Sequence, residues 1–590
     1  KCYLKDVSTS VVVRDQISQE LDLILKGSLL GQGFEFRKGQ RETVQAICEA
    51  YYEDSEGTIV IDAPTGTGKS IIAMASSLVL SRLGNKGYLV TSDLMLQDQY
   101  ESDFHRLKLR WPSIKGVDNY ECTVNGQPFS LGDCKLKGMG YEQASRLHCY
   151  SSCEYLQNRQ RAIDSTVCLL NYSYWLIQRN YVEKKMVQEQ RSVPFERRDF
   201  VFFDEAHKVD EVVQSHFTPR VDRFLVDKML QAESFLLRNQ IEGTGYTKTR
   251  LQSVVNDVMM LPGKAQVFEA MEVLERVLIN YNKASRRVKK EANRRFKGSD
   301  VTKDWQKAMT TFERIKDTRC KIQDYLELIR EVGVDKMVID HQQDETKTMC
   351  VEEARMIKKY LHEKAGFKVF MSATIGDPNT YMKLMGIENA RFIRLGNQFD
   401  YTKSPIVFVN RFGLSHKEKE MNLPKVIQLL DQIIDKHKGQ KGIVHTGSYD
   451  FKNRIIRDSK HVFRLMHYDG SKEKEGAFDL FKSTKEDKVL IGPSLLEGLD
   501  LKNDTSRFQI FFKIPYPSMV DPLIKAKMEA SREWYNWKTS VSILQGVGRS
   551  VRNEEDWAVT YIIDANFGTL MYHNKDAFPP SFTDRLKVVK

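Results

Sequence analysis

The sequence contains no long uninterrupted run of hydrophobic residues. None of its stretches approaches the roughly 18–20 apolar residues that a membrane-spanning helix needs. A secretory signal segment is also missing, and the mean hydropathy is −0.46. We therefore expect an intracellular protein, cytoplasmic or in the nucleoid or nucleus, with no membrane partner. With 590 residues, 41% of them hydrophobic, the chain can still build the cores of three or four domains.

Cysteines are few, and none belongs to the paired C-x-x-C knuckles typical of structural zinc sites. A large soluble chain points to a reducing compartment, where disulfides are rare. Five of the nine cysteines are scattered, and we interpret them as ordinary thiols. The other four are clustered, which indicates a tetrathiolate metal site; the residues alone leave zinc and an iron–sulfur cluster open. The clustered residues are Cys122, Cys134, Cys149 and Cys153.

Acidic residues are fewer than basic ones, 79 against 90, and the net charge is +11. This is a mild bias toward polyanionic partners. Much of the excess lies between residues 283 and 297, where Glu291 is the one acidic residue. The segment is either a solvated helix face or a contact for a nucleic-acid phosphate backbone. Its basic residues are Lys283, Arg286, Arg287, Lys289, Lys290, Arg294, Arg295 and Lys297.

A glycine-rich loop, APTGTGKS at residues 63–70, follows a predicted strand over residues 58–61 and precedes a helical segment. Small residues let its backbone N–H groups turn toward a polyphosphate. The Lys69 ammonium neutralises charge near the β- and γ-phosphates, and the Ser70 hydroxyl reaches Mg²⁺. Strand, loop and helix are the context that a phosphate-binding loop requires. We expect a bound nucleotide to contact Thr65, Gly66, Thr67, Gly68, Lys69 and Ser70.

An acidic box, DEAH at residues 204–207, follows another apolar strand over residues 200–203. Asp204 at the strand end can hold Mg²⁺, directly or through water. Glu205 can orient or deprotonate the attacking water. Taken alone, the two carboxylates could equally be solvated groups at a strand end. Together with the phosphate loop, they predict an NTP-hydrolysing site.

Three further segments carry polar residues beside predicted strands or the phosphate loop. Within FEFRKGQ at residues 34–40, Arg37 and Gln40 can read an adenine edge while an aromatic residue stacks on the ring. The segment that begins at Thr91 follows a strand over residues 87–90, and its hydroxyl groups are suited to phosphate-backbone contacts. Residues 370–375 are predicted to be a further strand with hydroxyl groups at its end.

A second α/β unit is predicted to start near residue 405, with strands over residues 442–446, 488–491 and 508–512. It ends in a segment that begins at Gln545 and contains Arg549 and Arg552. Arginines three residues apart share one helix face. Opposite a phosphate loop they would act as arginine fingers, whereas alone they could be surface residues.

Between the acidic box and residue 365 the hydrophobic pattern is helical. Apolar residues recur at steps of three and four, and no strand alternation competes with this period. We therefore predict an inserted helical domain over residues 210–365 with these stripes in its core. The stripe residues are Phe268, Met271, Leu274, Leu278, Tyr281, Trp305, Met309, Phe312, Ile315, Ile322, Leu326 and Ile329.

The order of these motifs resembles that of superfamily 2 helicases, and more narrowly the XPD/DinG family of iron–sulfur DNA helicases. Residues 115–122 are similar to the Gly-x-x-Asn-Tyr-x-Cys opening of that family's cluster domain. Residues 153–155 resemble its closing Cys-Pro-Tyr, with Glu154 in the place of Pro. Residues 171–172 and the KIPYP segment at 513–517 also match. The similarity spans residues 34–565.

The resemblance implies an α/β fold of two RecA-like parallel-sheet motor domains. The first would comprise residues 1–112, 162–209 and 366–404, and the second residues 405–590. A small Fe–S domain (113–161) and a helical arch (210–365) would be inserted in the first. The resemblance also implies further nucleotide contacts and catalytic residues. These are Glu497, Gly498 and Asp500 for the nucleotide, and Gln545, Arg549 and Arg552 for catalysis.

The resemblance implies three cofactors: ATP, Mg²⁺ and a [4Fe–4S] cluster on the four clustered cysteines. The implied activity is ATP-driven 5′→3′ movement along single-stranded DNA, with the Fe–S domain as a wedge that separates forked duplex DNA. RNA–DNA hybrids are a further candidate substrate. Two alternatives are a translocase or remodeller that does not separate strands and a DEAH-type RNA helicase. Only about thirty residues precede the adenine motif, so we expect no N-terminal exonuclease.

Overall fold

A computed structural model describes residues 7–26, 35–297, 301–396, 400–470, 472–493, 495, 503–549, 551 and 556–590. Four predicted site residues, Glu497, Gly498, Asp500 and Arg552, lie outside these ranges. Within them, no helix combines the length and the apolar character needed to cross a membrane.

The first strand begins at residue 58 and the last ends at residue 589. In chain order they are β1 (Thr58–Asp62), β2 (Gly87–Thr91), β3 (Ser113–Ile114), β4 (Val167–Asn171), β5 (Phe200–Asp204), β6 (Arg220–Asp222), β7 (Met337–His341), β8 (Glu345–Cys350), β9 (Phe367–Ser372), β10 (Arg391–Arg394), β11 (Ile406–Val409), β12 (Gly442–His445), β13 (Leu465–Met466), β14 (Val489–Gly492), β15 (Phe508–Phe511), β16 (Val559–Ile562) and β17 (Leu586–Val589).

The helices connect these strands and build the inserted segments. In chain order they are α1 (Val7–Lys26), α2 (Gln40–Glu53), α3 (Lys69–Arg82), α4 (Leu94–Arg106), α5 (Asp133–Leu136), α6 (Tyr141–Ala144), α7 (Glu154–Asp164), α8 (Tyr172–Leu176), α9 (Glu183–Gln188), α10 (Val209–Phe217), α11 (Phe224–Arg238), α12 (Lys248–Met260), α13 (Lys264–Arg295), α14 (Lys303–Val332), α15 (Glu353–Tyr360), α16 (Pro378–Leu384), α17 (Lys419–Lys436), α18 (Tyr449–Asp458), α19 (Lys474–Ser483), α20 (Pro522–Ala530), α21 (Arg532–Val547), α22 (Asn566–His573) and α23 (Pro580–Thr583).

The first sheet has the strand order β10-β1-β9-β5-β2-β4-β3, and every neighbouring pair is parallel. Its central strands are continuous runs of β-branched and aromatic residues, as expected for strands that are buried on both faces. Asp62 at the end of β1 is in register with Ser372 of β9, and Asp204 of β5 with Met371. The phosphate loop, the acidic box and the segment after β9 therefore meet at one edge of the sheet.

The second sheet has the order β13-β14-β12-β15-β16-β11-β17 and is also parallel throughout. Helix α17 packs on one face through Leu423, Val426 and Leu430, which are fully or almost fully buried. The two parallel sheets confirm the predicted α/β fold class with two RecA-like motor domains.

Two insertions leave the first sheet. The cysteine-containing segment runs between β3 and β4, and the longer one between β5 and β9. In the longer insertion, α13 and α14 are long helices that bury the predicted stripe residues, apart from Phe268, which is half-buried. The three separate stripe segments therefore belong to two helices.

The longer insertion differs from the all-helical prediction in one respect: β6, β7 and β8 form an antiparallel sheet in the order β6-β8-β7. The sequence pattern concealed it because the inward-facing residues of β8 include Thr346 and Thr348, which are 1% and 2% exposed. A polar residue at a buried position breaks the apolar alternation from which strands are predicted.

Candidate nucleotide-binding and hydrolysis site

The phosphate loop is held open by two left-handed glycines. Gly66 has φ 87° and Gly68 has φ 75°, a region that side-chain-bearing residues rarely adopt. Helix α3 begins directly afterwards at Lys69, so its free N–H groups and its positive dipole end face the loop. A Cβ on Gly68 would lie 2.4 Å from Nε2 of Gln40, which leaves no room for another residue.

The predicted adenine-reading residues brace this loop from outside. Gln40 Nε2 donates to the Thr67 carbonyl at 2.7 Å, and the Arg37 guanidinium donates to the Gly66 carbonyl. The Arg37 backbone N–H in turn donates to Gln40 Oε1 at 2.8 Å. The two side chains therefore lie beside the loop, and their contact with an adenine ring stays a prediction.

The acidic box faces the phosphate loop. Glu205 Oε1 lies 3.8 Å from Nζ of Lys69. Asp204 is almost fully buried and accepts a hydrogen bond from the Tyr100 hydroxyl at 2.9 Å. The Tyr172 hydroxyl donates to the Asp204 carbonyl at 3.0 Å and so fixes the backbone of the box. The predicted lysine and carboxylates thus share one small site.

The two carboxylates have opposite electrostatic environments. Burial, together with the neighbouring charge of Glu205, raises the pKa of Asp204 above its ordinary value. Burial would also raise the pKa of Glu205, but the cations around it, first Lys69 and then His207, Lys208 and Arg549, hold it below its usual value. A buried carboxylate beside a half-buried one is an environment that a divalent cation would stabilise.

A buried polar contact joins the acidic box to the end of β9. His207 Nδ1 lies 2.8 Å from Oγ of Ser372 and 3.2 Å from Oε2 of Glu205. The Thr374 backbone N–H donates to the same Ser372 oxygen at 3.0 Å. These contacts connect Glu205 with the end of β9.

The second motor domain reaches the site through helix α21. Trp537 Nε1 donates to the Ile375 carbonyl at 2.9 Å, and Lys538 pairs with the buried Asp210 at 3.0 Å. At the end of α21, which includes Gln545, a Cβ on Gly548 would lie 3.4 Å from Oγ1 of Thr65 in the phosphate loop. Arg549 directly follows Gly548, and its positive charge helps to lower the pKa of Glu205. The predicted finger is thus on the phosphate-loop side of the interface.

The four clustered cysteines come together within the first insertion. Burial, followed by the neighbouring thiols of Cys122, Cys153 and Cys149, raises the pKa of Cys134 to about 11. Cys122 also begins a tight turn, in which its N–H donates to the Gln127 carbonyl at 2.7 Å. Over the described part of the chain, however, no three His, Cys, Asp or Glu side chains are arranged to hold a metal ion.

Several of these contacts had no signal in the sequence. Tyr100 lies in the middle of α4, far along the chain from the acidic box that it contacts. Lys538 and Asp210 come from different domains. A hydroxyl or lysine at such positions has no motif of its own, so only the fold brings it to the site.

The fold and the site define an NTP-hydrolysing motor of two RecA-like domains with two insertions in the first, the architecture of superfamily 2 helicases. Two family descriptions match the chain: "Helicase C-terminal domain" over residues 430–582 and "Type III restriction enzyme, res subunit" over residues 33–219. Both halves of the motor are therefore represented.

Comparison with similar proteins indicates which kind of superfamily 2 helicase the chain resembles. The chain is 23% identical to the ATP-dependent DNA helicase YoaA of Escherichia coli, over 90% of this chain and 92% of that protein. It is 22% identical to YoaA of Haemophilus influenzae, over 90% and 91%. A solved structure of S. tokodaii Xpd4 shares the fold, with a TM-score of 0.57, 13% identity, and coverage of 94% of this chain and 100% of that one. The relatives, the fold and the two family matches support an XPD/DinG-like superfamily 2 helicase, an enzyme that hydrolyses ATP.

Proposed function

We propose that the protein is a DNA helicase that translocates on single-stranded DNA in the 5′→3′ direction. The observation that carries the proposal is the convergence on Glu205 of Lys69 from the phosphate loop and Arg549 from the second domain. A site built from both domains is complete only when they are close together. ATP binding and hydrolysis would therefore be linked to domain closing and opening.

Each residue has a role in this cycle. Lys69 and the loop glycines bind the phosphates, while Ser70 and Asp204 hold Mg²⁺. Glu205 positions the attacking water, and its depressed pKa keeps it ionised for that task. Arg549, with Gln545 and Arg552 as further candidates, stabilises the charge that develops on the transferred phosphoryl group. Arg37 and Gln40 would select adenine.

We also propose that Cys122, Cys134, Cys149 and Cys153 hold a [4Fe–4S] cluster. Their thiols are close enough to influence one another, and burial disfavours free thiolates, so a cationic iron centre would stabilise the charged form. A four-iron cluster is larger than one ion, and its thiolates stand further apart than the ligands of a single zinc. Bound there, it would cross-link the insertion into a rigid wedge.

The cluster is tested by measuring iron and acid-labile sulfide in protein that has been purified without oxygen. We expect about four of each per chain, the content of one [4Fe–4S] cluster. The Cys122→Ser variant should lose both, together with unwinding, but keep ATP hydrolysis. Zinc, or an intact protein without metal, would contradict this assignment and leave the motor site unaffected.

The helicase activity is tested on forked DNA duplexes that carry a 5′ or a 3′ single-stranded tail. We expect ATP-dependent unwinding of the 5′-tailed fork, and single-stranded DNA rather than RNA should stimulate hydrolysis. The Glu205→Gln variant should lose hydrolysis by at least about 100-fold and still bind DNA, because the amide keeps the size of the side chain but cannot act on the water. Stimulated hydrolysis without strand separation would instead indicate a translocase.

A further inference from the structure

A row of basic side chains runs along the second half of helix α13. The members, which we call the basic stripe, are Lys283, Arg286, Lys290, Arg294 and Lys297, and all are exposed. An α-helix turns about 100° per residue, so α13 and its direct continuation place them within an arc of about 80° and over a length of about 21 Å. The opposite face of the helix is core, where Tyr281, Ala284 and Val288 are fully buried.

Within the stripe, Arg294 pairs with Glu291 at 2.6 Å, and the basic residues of the same segment that lie outside the stripe also have structural partners. Lys289 pairs with Glu313 at 2.5 Å. Arg287 donates to the Glu242 carbonyl at 2.7 Å, and Arg295 to the Asn239 carbonyl at 2.9 Å. Among the described residues, by contrast, no acidic side chain pairs with Lys283, Arg286 or Lys290. The sequence segment therefore has two parts, of which only one maintains the fold.

In the first half of α13, charged side chains are paired with opposite charges on the neighbouring helix. There, Glu272 and Glu275 pair with Arg330 and Arg319 of α14. In the stripe, like charges instead recur at spacings of three and four residues, an arrangement that destabilises an isolated helix. A bound polyanion would remove this repulsion.

We propose that the basic stripe binds the phosphate backbone of duplex DNA ahead of the motor, an inference that rests on the proposed helicase function. Single strands are bound largely by bases stacking on aromatic side chains, whereas the exposed positions of residues 283–297 carry no aromatic residue. A row of cations without stacking surfaces fits sequence-independent contact with a duplex.

The position of the stripe supports this occupant. Lys289, which lies beside the stripe, packs against the cysteine segment: a Cβ on Gly138 would lie 3.1 Å from its Cδ. Just past the stripe, the Val301 backbone N–H donates to Asp133 at 3.1 Å. The stripe thus adjoins the proposed wedge, where a duplex would approach before its strands separate.

The test uses a triple variant, K283Q/R286Q/K290Q, in the full-length chain. Its matched control, K425Q/K436Q/K438Q, removes three exposed lysines in and just after α17 of the second motor domain. Affinity for a short blunt DNA duplex is measured between about 50 and 200 mM salt. Each phosphate contact makes the slope of log K against log salt more negative by about 0.9. The triple variant should therefore have a slope that is less negative than that of the wild type by roughly 2 to 3.

Further measurements separate the possible outcomes. The control variant should keep the wild-type slope, and the triple variant should keep its affinity for single-stranded DNA and its basal ATP hydrolysis. An unchanged slope for duplex DNA, or lost affinity for polyglutamate but not for duplex, would overturn the proposal. If wild-type protein neither unwinds DNA nor is stimulated by it, the proposed function itself fails, and that result is independent of the stripe.

Discussion

At the residue scale, Gly68 of the phosphate loop is a position where a side chain would be strained. The Gly68→Ala variant would place a Cβ 2.4 Å from the Gln40 amide and force an alanine to adopt φ 75°. The left-handed conformation alone costs roughly 1–2 kcal/mol, and displacement of Gln40 frees the loop that it braces. We expect KM for ATP to rise at least about 10-fold. Steady-state ATP hydrolysis measures it.

The matched control for this substitution is Gly476→Ala. Gly476 lies in helix α19, and a Cβ there would meet no atom within 4 Å. Alanine favours a helix by about 1 kcal/mol relative to glycine, so KM should stay unchanged and stability should not fall. Equal KM values for the two variants would show that the Gly68 clash is relieved without effect on the nucleotide.

Which site residues were predictable depends on how close they are in sequence to a strand end. Lys69, Asp204 and Glu205 follow apolar strands within a few residues, and their motifs and spacing predict their chemistry. Tyr100 is contributed by a helix that becomes a neighbour of the acidic box only through the strand order β1-β9-β5-β2. That order is a property of the whole sheet, which the local pattern does not contain.

At the element scale, helix α21 joins the two motor domains, in part through a buried ion pair. Lys538 pairs with Asp210, whose side chain is 1% exposed. In the Lys538→Met variant, Asp210 would remain buried without this partner, which typically costs about 3–5 kcal/mol. We expect a lower first unfolding temperature and slower ATP hydrolysis, measured by thermal melting and steady-state kinetics.

The control is a second ion pair between the same domains. Lys383 of α16 pairs with Glu533 of α21, but both side chains are exposed, at 68% and 43%. Exposed pairs contribute about 0–1 kcal/mol, so Lys383→Met should change the melting temperature little. Similar effects of the two substitutions would indicate that burial does not determine the strength of this contact.

Helices α13 and α14 were predictable as elements because their apolar periods are long and regular. Their number and ends were not, because three stripe segments belong to two helices. The β6-β8-β7 sheet escaped prediction for the opposite reason, since Thr346 and Thr348 are polar residues in buried positions. Sequence periodicity identifies a helix or strand only when burial and hydrophobicity coincide.

At the scale of the whole molecule, three histidines make stability depend on pH: His445 is buried, and His216 and His362 are half-buried. Burial lowers the pKa of His216, His362 and His445 to about 4 in each case. In the unfolded chain these groups titrate near 6.5. Between these two values the unfolded state binds more protons than the folded state, so the free energy of unfolding falls as the pH falls.

The expected size of this effect is about 2 kcal/mol per histidine at pH 5 relative to pH 7. Melting temperatures measured across this range should therefore decrease steadily toward acid. The His216→Gln variant should show a shallower decrease, because it lacks one of the three imidazoles whose pKa is lowered in the folded state. The exposed His105→Gln variant is the control and should follow the wild-type curve. If His216→Gln also follows that curve, the acid sensitivity comes from other groups, and the neutral burial of His216 does not contribute to it.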